Sequence, residues 1–508
     1  MSKLTVTVLD QQGKPLSIEY PGMFYFADLD YEPFRNSVLE VAVDNGYVAL
    51  SPPSQPFQAS IVLTVEGFGS VYVYADNGGE GFTGGEKEID FTFEAARTRI
   101  AKVRGWIGKQ AAGFGVSAGV EERLGKAEDF LKKAQKALVR SEERNVAALI
   151  SLRESLWAGE MVVLEKARQD IAKIGWREGF LLGCSLRERP EPRKDDLFSR
   201  LLNYATVMLH WTRFEPFHGA KDWNQKDGLV SWLGQNHITA KGHPLLWLHD
   251  LGMPDWLQRA APNYETLKLL VRGFAYDLVK HYSDTIHIWD VINEAHDWAN
   301  VFGYNQEQLI ELTKLMCDAT REANPVAIRV VNCIFPWGQY VATGMHVVGT
   351  RARPLMTPYK YLENCVKANV EFEVIGLELY NPPHDIFEIN LLLERFARFG
   401  KPIHITEVGV PSATVARELD PKIEERQVKE YSRRFDNEWH GPWSEDLQAD
   451  WVEQFYTLCY SKLYVTAVTN WEFDDVRGGL VHHSGFLRSD LTPKQSYLRL
   501  KSLVDSWS

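Results

Sequence analysis

The chain has 508 residues, 45% of them hydrophobic and 24% charged, which allows a large core and, by length, two or three domains. Its 56 Lys and Arg against 68 Asp and Glu leave a formal charge of −12. This charge argues against nucleic acid or an anionic membrane as partner and favours a neutral ligand. Five scattered cysteines predict reduced thiols, with no disulfide framework and no zinc site.

No secretion signal is recognisable at the start of the chain, and no apolar run approaches transmembrane length. The sequence as read is therefore expected to be cytoplasmic, or exported after removal of a signal. The first segment, residues 1–95, alternates apolar and polar residues at Leu4–Leu9, Ala59–Val65 and Ser70–Tyr74, with a turn at Gln12–Pro15. We predict a small β-sandwich, serving either as a sugar-binding accessory domain or for packing and oligomerisation.

Residues 96–178 are rich in Ala, Lys, Glu, Arg and Leu and have the periodicity of amphipathic helices. The pattern is clearest at Ala127–Leu138 and Val162–Ile174, and it is interrupted between Gly113 and Gly119. This helical segment could bridge the β-rich domain to the rest of the chain. It could equally form a hairpin that joins two copies in a homo-oligomer.

After Gly179, short apolar runs alternate with helical stretches, as in repeated β/α units. We predict an α/β fold with a (β/α)8 TIM barrel over residues 179–508, whose active site would lie at the C-terminal ends of the strands. The candidate strands are Phe180–Cys184, Ala205–Leu209, Thr239–Trp247, Ile286–Asn293, Ala327–Asn332, Val374–Leu379, Ile403–Glu407 and Val465–Trp471.

Two of these strands end in a carboxylate. Asn293 and Glu294 follow the fourth candidate strand, and Glu407 ends the seventh. Burying an unpaired carboxylate costs several kcal/mol or raises its pKa, so such residues are usually paired or functional. Two carboxylates facing one cavity suit the cleavage of a glycosidic bond. Alternatively, each could cap a helix or pair with an arginine.

Several ordered motifs resemble glycoside hydrolase family 10, the β-1,4-xylanases, over most of residues 179–508. The motifs are Phe214–Gly219, His243–Trp247, Met253–Leu257, Trp289–Ala295, His404–Glu407 and the tail Leu480–Tyr497. The resemblance implies that Glu407 attacks the anomeric carbon and that Glu294 protonates the leaving oxygen and then activates water. It also implies that Asn293 holds the sugar 2-hydroxyl. Two carboxyl groups with these roles should lie roughly 5 to 5.5 Å apart.

The family resemblance also indicates where the sugar would be bound and where this chain departs from the pattern. Trp471 resembles the family's sugar-floor tryptophan, and His243 and Trp247 belong to the third-strand motif. His210 stands in place of the family's lysine. The family's Glu-Asn pair on the second strand is Thr206-Val207, His249 is shifted by one position, and the Asp two places after the nucleophile is Gly409.

On the sixth strand, the family's Gln-x-His becomes Glu378-Leu-Tyr380. We hypothesise that the Tyr380 hydroxyl donates to Glu407 and keeps this nucleophile ionised; otherwise Tyr380 only fills the vacated volume. Glu378 could recognise a different hydroxyl or a basic group of the ligand, or it could pair with a nearby Arg or His.

The sequence thus predicts a retaining glycoside hydrolase that needs no cofactor or metal and acts on a β-linked glycan, with xylan favoured. One alternative is an exo-acting β-glycosidase of different sugar specificity, because the residues that would hold a second sugar unit are missing. An alternative of another class is a non-catalytic carbohydrate-binding protein.

Overall fold

The structure is a computed structural model, and it describes residues 4–9, 24–35, 39–42, 46–49, 53–110, 113–139, 141–260, 263–296, 299–343, 356–414, 438–475 and 481–507. The turn predicted at Gln12–Pro15 lies outside the described residues, as does the first residue of the motif Leu480–Tyr497.

Two small sheets form the N-terminal part of the chain. Their strands are β1 (Leu4–Thr7), β2 (Phe24–Ala27), β3 (Leu39–Ala42), β4 (Gly46–Ala49), β5 (Gln58–Val65), β6 (Gly69–Ala75) and β7 (Glu88–Asp90). The first sheet has the order β3-β4-β1-β7, and the second has the order β2-β5-β6, so that β6 is an edge strand. Residues of both sheets, including Leu4, Val6, Ile61 and Val73, share one apolar core. The sheets therefore pack as a small sandwich.

Three helices follow the sandwich: α1 (Phe91–Gly108), α2 (Ala118–Lys136) and α3 (Glu142–Ile174). The side chain of Ser141 caps the start of α3 by accepting from the Arg144 N–H at 3.2 Å. The helix ends before Gly175, whose φ of 67° is unfavourable for other residues. Helix α1 begins five residues earlier than the predicted helical segment, because Phe91 and Phe93 already face a core.

Eight parallel strands close into a barrel in the order β10-β11-β12-β13-β14-β15-β8-β9. They are β8 (Leu181–Leu186), β9 (Tyr204–Met208), β10 (Thr239–His243), β11 (Ile286–Asn293), β12 (Ile328–Cys333), β13 (Val374–Tyr380), β14 (Ile403–Gly409) and β15 (Val465–Asn470). The predicted (β/α)8 barrel is confirmed. The third candidate strand was too long, since pairing in β10 stops at His243 and the chain up to Trp247 is irregular.

The helices that follow the strands surround the barrel. They are α4 (Pro192–Ser199), α5 (Trp211–Phe214), α6 (Asn224–Gln235), α7 (Asp255–Ala260), α8 (Tyr264–His281), α9 (Gln306–Ala323), α10 (Tyr340–Thr343), α11 (Pro358–Lys367), α12 (Ile386–Ala397), α13 (Glu445–Ser461) and α14 (Gln495–Asp505). Several of them start at a capping side chain; at α9, Asn305 and Gln308 form a capping box. Among the described residues, no helix has the length and apolar character needed to cross a membrane.

The inside of the barrel changes from apolar to polar along its axis. Near the N-terminal ends of the strands, Tyr204, Ile288, Val330, Val374 and Ala467 fill the interior with apolar side chains. Further along the strands the interior carries buried charged and polar side chains instead. This polar layer lies where active sites of such barrels are found, at the C-terminal ends of the strands.

Candidate active site

Glu294 and Glu407 lie at the C-terminal ends of β11 and β14, and both are buried. The backbone of Glu294 has a φ of 52°, which is uncommon outside glycine and costs of order 1 kcal/mol. Its N–H donates to the Asn332 carbonyl at 3.0 Å, which holds this conformation. The indole Nε1–H of Trp247 donates to Glu294 Oε2 at 2.9 Å. The barrel therefore orients the Glu294 carboxyl from both its backbone and its side chain.

Glu407 receives the hydrogen bond that we predicted. The Tyr380 hydroxyl, at the end of the neighbouring strand β13, donates to Glu407 Oε2. Burial raises the pKa of Glu407 well above its usual range, the Tyr380 hydrogen bond acts in the opposite direction, and the charge of Glu294 raises it further. Tyr380 therefore favours the ionised form of Glu407, against the burial that favours the neutral form.

A chain of buried charges approaches Glu407 from the other side. Lys241 Nζ lies 2.6 Å from Asp290 Oδ2, and both side chains are completely buried. His243 Nδ1 lies 2.7 Å from the same oxygen of Asp290, and its Nε2 lies 3.5 Å from Glu407 Oε1. Burial alone would raise the pKa of Asp290, but Lys241 and His243 outweigh it and hold that pKa below its usual value. Asp290 is thus ionised and fixes the orientation of the His243 ring.

The His243 ring is neutral, because burial lowers its pKa more than Asp290 raises it. With Nδ1–H donating to Asp290, Nε2 remains as a hydrogen-bond acceptor near Glu407. A ligand hydroxyl can donate to this nitrogen. His243 therefore suits the binding of a neutral polyol.

Asn332, at the end of β12, connects three strands of the site. Its Nδ2 donates to Asn293 Oδ1 at 2.6 Å and to Glu378 Oε1 at 2.8 Å, and its Oδ1 accepts from the Thr406 hydroxyl. Because Asn293 uses its oxygen to accept, its amide N–H2 group remains available as a donor. The network leaves Asn293 able to donate to a sugar hydroxyl, as its predicted role requires.

Glu378 is a third buried carboxyl beside the other two. Its Oε1 accepts from Asn332, while its buried Oε2 has no hydrogen-bond donor. Burial raises the pKa of Glu378 well above its usual range, and the negative charges of Glu407 and Glu294 add to that rise. The predicted alternative, a pairing of Glu378 with a nearby Arg or His, is not found among the described residues, where the neutral amide of Asn332 donates to Glu378.

Aromatic side chains surround these carboxyls at the C-terminal end of the barrel. Trp247 is half-buried and stacks on His249, with ring centroids 4.6 Å apart. Trp471 packs with Tyr380 in an apolar cluster and lies edge-on to His243 at 5.5 Å. The ring of His210 lies 5.6 Å from Trp247, and burial lowers the pKa of His210 to about 3. The predicted binding residues therefore gather at one end of the barrel.

The structure shows the surroundings of the residues at which this sequence departs from the family pattern. Thr206 and Val207 on β9 are both completely buried, so neither side chain can reach a ligand. A Cβ at Gly409 would lie 2.8 Å from the Trp471 carbonyl oxygen, so a larger residue at this position would need the backbone to shift. The Tyr380 hydroxyl contacts Glu407 from the neighbouring strand. Tyr380, which stands in place of the family's His, thus supports Glu407 directly.

Sequence reasoning did not assign Lys241, Asp290 or Asn332 to the site. A signal was present in each case: Lys241 stands in the middle of a buried strand, and Asp290 interrupts the apolar run of β11. Asn332 is the penultimate residue of β12 and pairs with Asn293, the last residue of β11. Within the described residues, no group of three or more His, Cys, Asp or Glu is arranged to hold a metal ion, and all five cysteines are buried and unpaired.

A closed (β/α)8 barrel with buried carboxyls after its fourth and seventh strands is the architecture that the family resemblance implied. The sequence profile of glycosyl hydrolase family 10 matches residues 186–332, a segment that includes Glu294. The resemblance to glycoside hydrolase family 10 is therefore confirmed, as that of a divergent relative.

Characterised relatives are similar at low identity. Endo-1,4-beta-xylanase C of Paenibacillus barcinonensis is 24% identical over 313 residues, which cover 55% of this chain and 27% of that protein. Endo-1,4-beta-xylanase B of Neocallimastix patriciarum is 28% identical over 204 residues, 38% of this chain and 22% of that protein. For endo-1,4-beta-xylanase B of Thermotoga neapolitana, the identity is 24% over 66% of this chain and 90% of that protein. The chain thus spans about a quarter of the length of the first two relatives.

Among solved structures, a mutant of xylanase 10C from Cellvibrio japonicus in complex with xylopentaose has a TM-score of 0.50 and 14% identity, covering 66% of this chain and 69% of that chain. At this identity the likeness concerns the fold alone.

Proposed function

We propose that this chain is a retaining glycoside hydrolase that cleaves β-glycosidic bonds, with xylan or its oligosaccharides as the leading substrate. The observation that carries the proposal is the pair Glu294 and Glu407, buried at the ends of β11 and β14 of one barrel and each held by a separate donor, Trp247 and Tyr380. The family match over residues 186–332 supports the same reaction.

In the proposed mechanism, the Glu407 carboxylate attacks the anomeric carbon while the bond to the leaving oxygen breaks and Glu294 protonates that oxygen. A water molecule then attacks the glycosyl intermediate, Glu294 accepts its proton, and Glu407 leaves with its original charge. Retention of the anomeric configuration follows from the two displacements.

The assignment of the two roles rests on the partners of each carboxyl. Glu407 has the hydroxyl donor of Tyr380 and the positive charge of Lys241, both of which lower its pKa. Glu378 accepts from the neutral amide of Asn332, and its hydrogen bond with Glu294 raises its pKa. Glu407 is therefore best suited to be the ionised nucleophile, while Glu294 supplies the proton and Glu378 stays neutral.

The reaction can be tested with xylo-oligosaccharides and proton NMR that distinguishes the two anomers. We expect the β-anomer to appear first. Glu407→Ala should abolish turnover, and azide should restore it with formation of the α-glycosyl azide, whereas azide should restore Glu294→Ala with formation of the β-glycosyl azide. Glu311→Gln, an exposed carboxyl on α9, is the matched control and should hydrolyse normally.

Three results would contradict the proposal. An α-anomer as first product would contradict retention, and near-normal turnover by Glu407→Ala would remove the assigned nucleophile. The absence of hydrolysis by the parent protein over a broad panel of glycosides would instead favour a non-catalytic carbohydrate-binding protein.

A second candidate keeps the mechanism and changes the substrate to a short oligosaccharide or aryl glycoside cleaved from the end. It is favoured by the complete burial of Thr206 and Val207, which offer no polar contact where the family has its Glu-Asn pair. Comparison of kcat/KM on polymeric xylan and on aryl monosaccharides separates the two candidates. Internal cleavage of the polymer supports the xylanase, and release of single sugars from chain ends supports the exo-acting enzyme.

A further inference from the structure

We propose that the N-terminal sheets and helices are a structural component of the catalytic site, because they hold the segment that follows β13, residues 381–385, and thereby position Tyr380 against Glu407. The expected effect on kcat and on its pH dependence rests on the proposed function, whereas the expected effect on the loop itself does not. It departs from the reading of the N-terminal region as an accessory sugar-binding domain.

The edge strand β6 of the N-terminal sheet is covered by two segments of the barrel. The Tyr72 N–H donates to the Pro383 carbonyl at 2.7 Å, and the Ser70 N–H donates to the Glu438 carbonyl at 2.9 Å. Pro383 follows β13, and Glu438 lies between β14 and α13. The sheet edge is thus closed by loops from the sixth and seventh barrel strands, which carry Tyr380 and Glu407.

His384 is fixed between the N-terminal sheet and the barrel. Its ring stacks on Trp337 at 3.7 Å, with an interplanar angle of 2°, and on Tyr72 at 5.0 Å. The Tyr74 hydroxyl lies 3.0 Å from His384 Nε2. Burial lowers the pKa of His384 well below its usual value, so the ring is neutral and shares one hydrogen bond with the Tyr74 hydroxyl. The loop is therefore held by oriented contacts on both sides of one ring.

Buried charges complete the attachment at the start of α12. Arg99 of α1 pairs with Asp385, which caps α12, and lies 3.1 Å from Glu388. All three side chains are buried, so each charge depends on the others for compensation. The Tyr31 hydroxyl also donates to Glu388, at 2.9 Å.

Glu160 of α3 joins both loops to the helical segment. Its Oε1 accepts from the Ile386 N–H at 3.0 Å and from Trp439 Nε1 at 3.2 Å, and its Oε2 lies 2.8 Å from His440 Nε2. A single buried carboxylate thus connects the start of α12 with the segment before α13. A domain that only tethers the enzyme to a polymer would not require such buried contacts.

The path from this interface to the catalytic pair is short. Asn381 and Pro382 are the only residues between Tyr380 and Pro383. The Asn381 N–H donates to the Gly409 carbonyl at 2.8 Å, so the beginning of the loop is also tied to β14. A displacement of Pro383 or His384 therefore changes the position from which Tyr380 reaches Glu407.

The test compares Arg99→Met and Tyr74→Phe with the parent in the pH dependence of kcat/KM on an activated aryl glycoside. Arg99→Met should lower kcat about ten- to a hundredfold, and Tyr74→Phe about two- to tenfold. Both should move the acid limb, which is the fall of kcat/KM at acidic pH, to higher pH. We expect the same shift for Tyr380→Phe, because the Tyr380 hydrogen bond stabilises ionised Glu407. The acid limb reports the protonation of Glu407. The charged and titratable groups around Glu407 are Lys241 and His243 on β10, Asp290 and Glu294 near β11, and Glu378 and Tyr380 on β13.

Two further comparisons separate positioning from general stability. Adding Tyr380→Phe to either variant should cause little further loss, because both changes act on the same hydrogen bond. Arg398→Met removes an exposed ion pair with Asp30, 2.7 Å long, at the other end of α12, and it should leave kcat and the acid limb unchanged.

Amide hydrogen exchange provides a readout that needs no activity. Peptides covering residues 381–390 should exchange faster in Arg99→Met than in the parent or in Arg398→Met. If Arg99→Met does not fold, the same measurements on Tyr74→Phe test the inference. Folded variants with unchanged exchange and an unchanged acid limb would overturn the inference, whereas an inactive parent with the expected exchange pattern would overturn only the proposed function.

Discussion

Glu378 and Glu407 lie directly opposite each other on the paired strands β13 and β14. Both belong to the buried polar layer at the C-terminal end of the barrel, where Glu294 adds a third carboxyl. Three buried carboxyls that lie this close together cannot all be ionised. The hydrogen-bond donors and cations around them therefore decide which one carries the charge.

Replacing Tyr380 by Phe removes the hydroxyl that donates to Glu407. We expect kcat to fall about ten- to a hundredfold, since a hydrogen bond to a charged group contributes about 1.5–3 kcal/mol. The pKa of Glu407 should rise further, so the acid limb of the kcat/KM profile should move to higher pH. Near-normal turnover with an unchanged acid limb would show that Tyr380 only fills space.

Glu378→Gln should keep the hydrogen bond from Asn332 and remove a carboxyl whose pKa burial has raised. A raised pKa means that the parent loses stability as pH rises above the ordinary glutamate value, about 4.3, toward the folded-state value. The variant should therefore melt at a higher temperature than the parent at pH 8, with a smaller difference at pH 4.

The same variant should leave the acid limb of the kcat/KM profile in place, because a neutral Glu378 adds no charge beside Glu407. Glu371→Gln, whose side chain is 78% exposed, is the control for a change of net charge alone. A melting difference that is independent of pH would contradict a neutral Glu378.

Gly376→Ala tests the network around Asn332. A Cβ at this position would lie 2.5 Å from Asn332 Oδ1 and 2.9 Å from Thr406 Cγ2, so the amide would have to move. We expect a loss of about 1–3 kcal/mol in the free energy of unfolding, together with a fall in kcat. Gly228→Ala on α6, where a Cβ meets no atom within 4 Å, should be neutral or slightly stabilising in urea unfolding.

Lys241→Met leaves the buried carboxylate of Asp290 without its cation. The free energy of unfolding at pH 7 should fall by about 3–5 kcal/mol. Since the pKa of Asp290 is depressed in the folded state, the stabilisation by Lys241 is present above the ordinary Asp value and is lost as pH falls. The difference between parent and variant should thus shrink below about pH 4.

The matched control for this change is Lys314→Met, which breaks an exposed pair with Asp318 on α9 and should cost less than about 0.5 kcal/mol. Equal destabilisation by the two substitutions would mean that Asp290 does not depend on Lys241.

The sequence allowed the barrel and the two carboxyls at its strand ends to be predicted, because both depend on local patterns. Each buried strand is a short apolar run, and a carboxyl at the end of such a run is conspicuous, as at Glu294 and Glu407. The length of β10 was overestimated because the irregular backbone up to Trp247 is as apolar as a strand.

The supporting network was harder to predict, because its contacts join residues that are distant in the chain. Lys241 and Asp290 meet through the pairing of β10 with β11, and Asn332 meets Glu378 through the pairing of β12 with β13. The contact between Arg99 and the start of α12 is encoded by no local pattern at all. Such contacts follow from the tertiary arrangement, which single residues or short motifs do not reveal.

That contact has a consequence for the synthesis of the protein. Arg99 and Glu388 are 289 residues apart, so the N-terminal helices leave the ribosome long before their buried partners are made. The N-terminal region cannot complete its interface until most of the barrel has been translated, and contacts this distant in sequence form slowly. The last steps of folding should therefore be the ones that close the interface between Arg99 and the start of α12, so the proposed activity would appear only after nearly all other structure has formed.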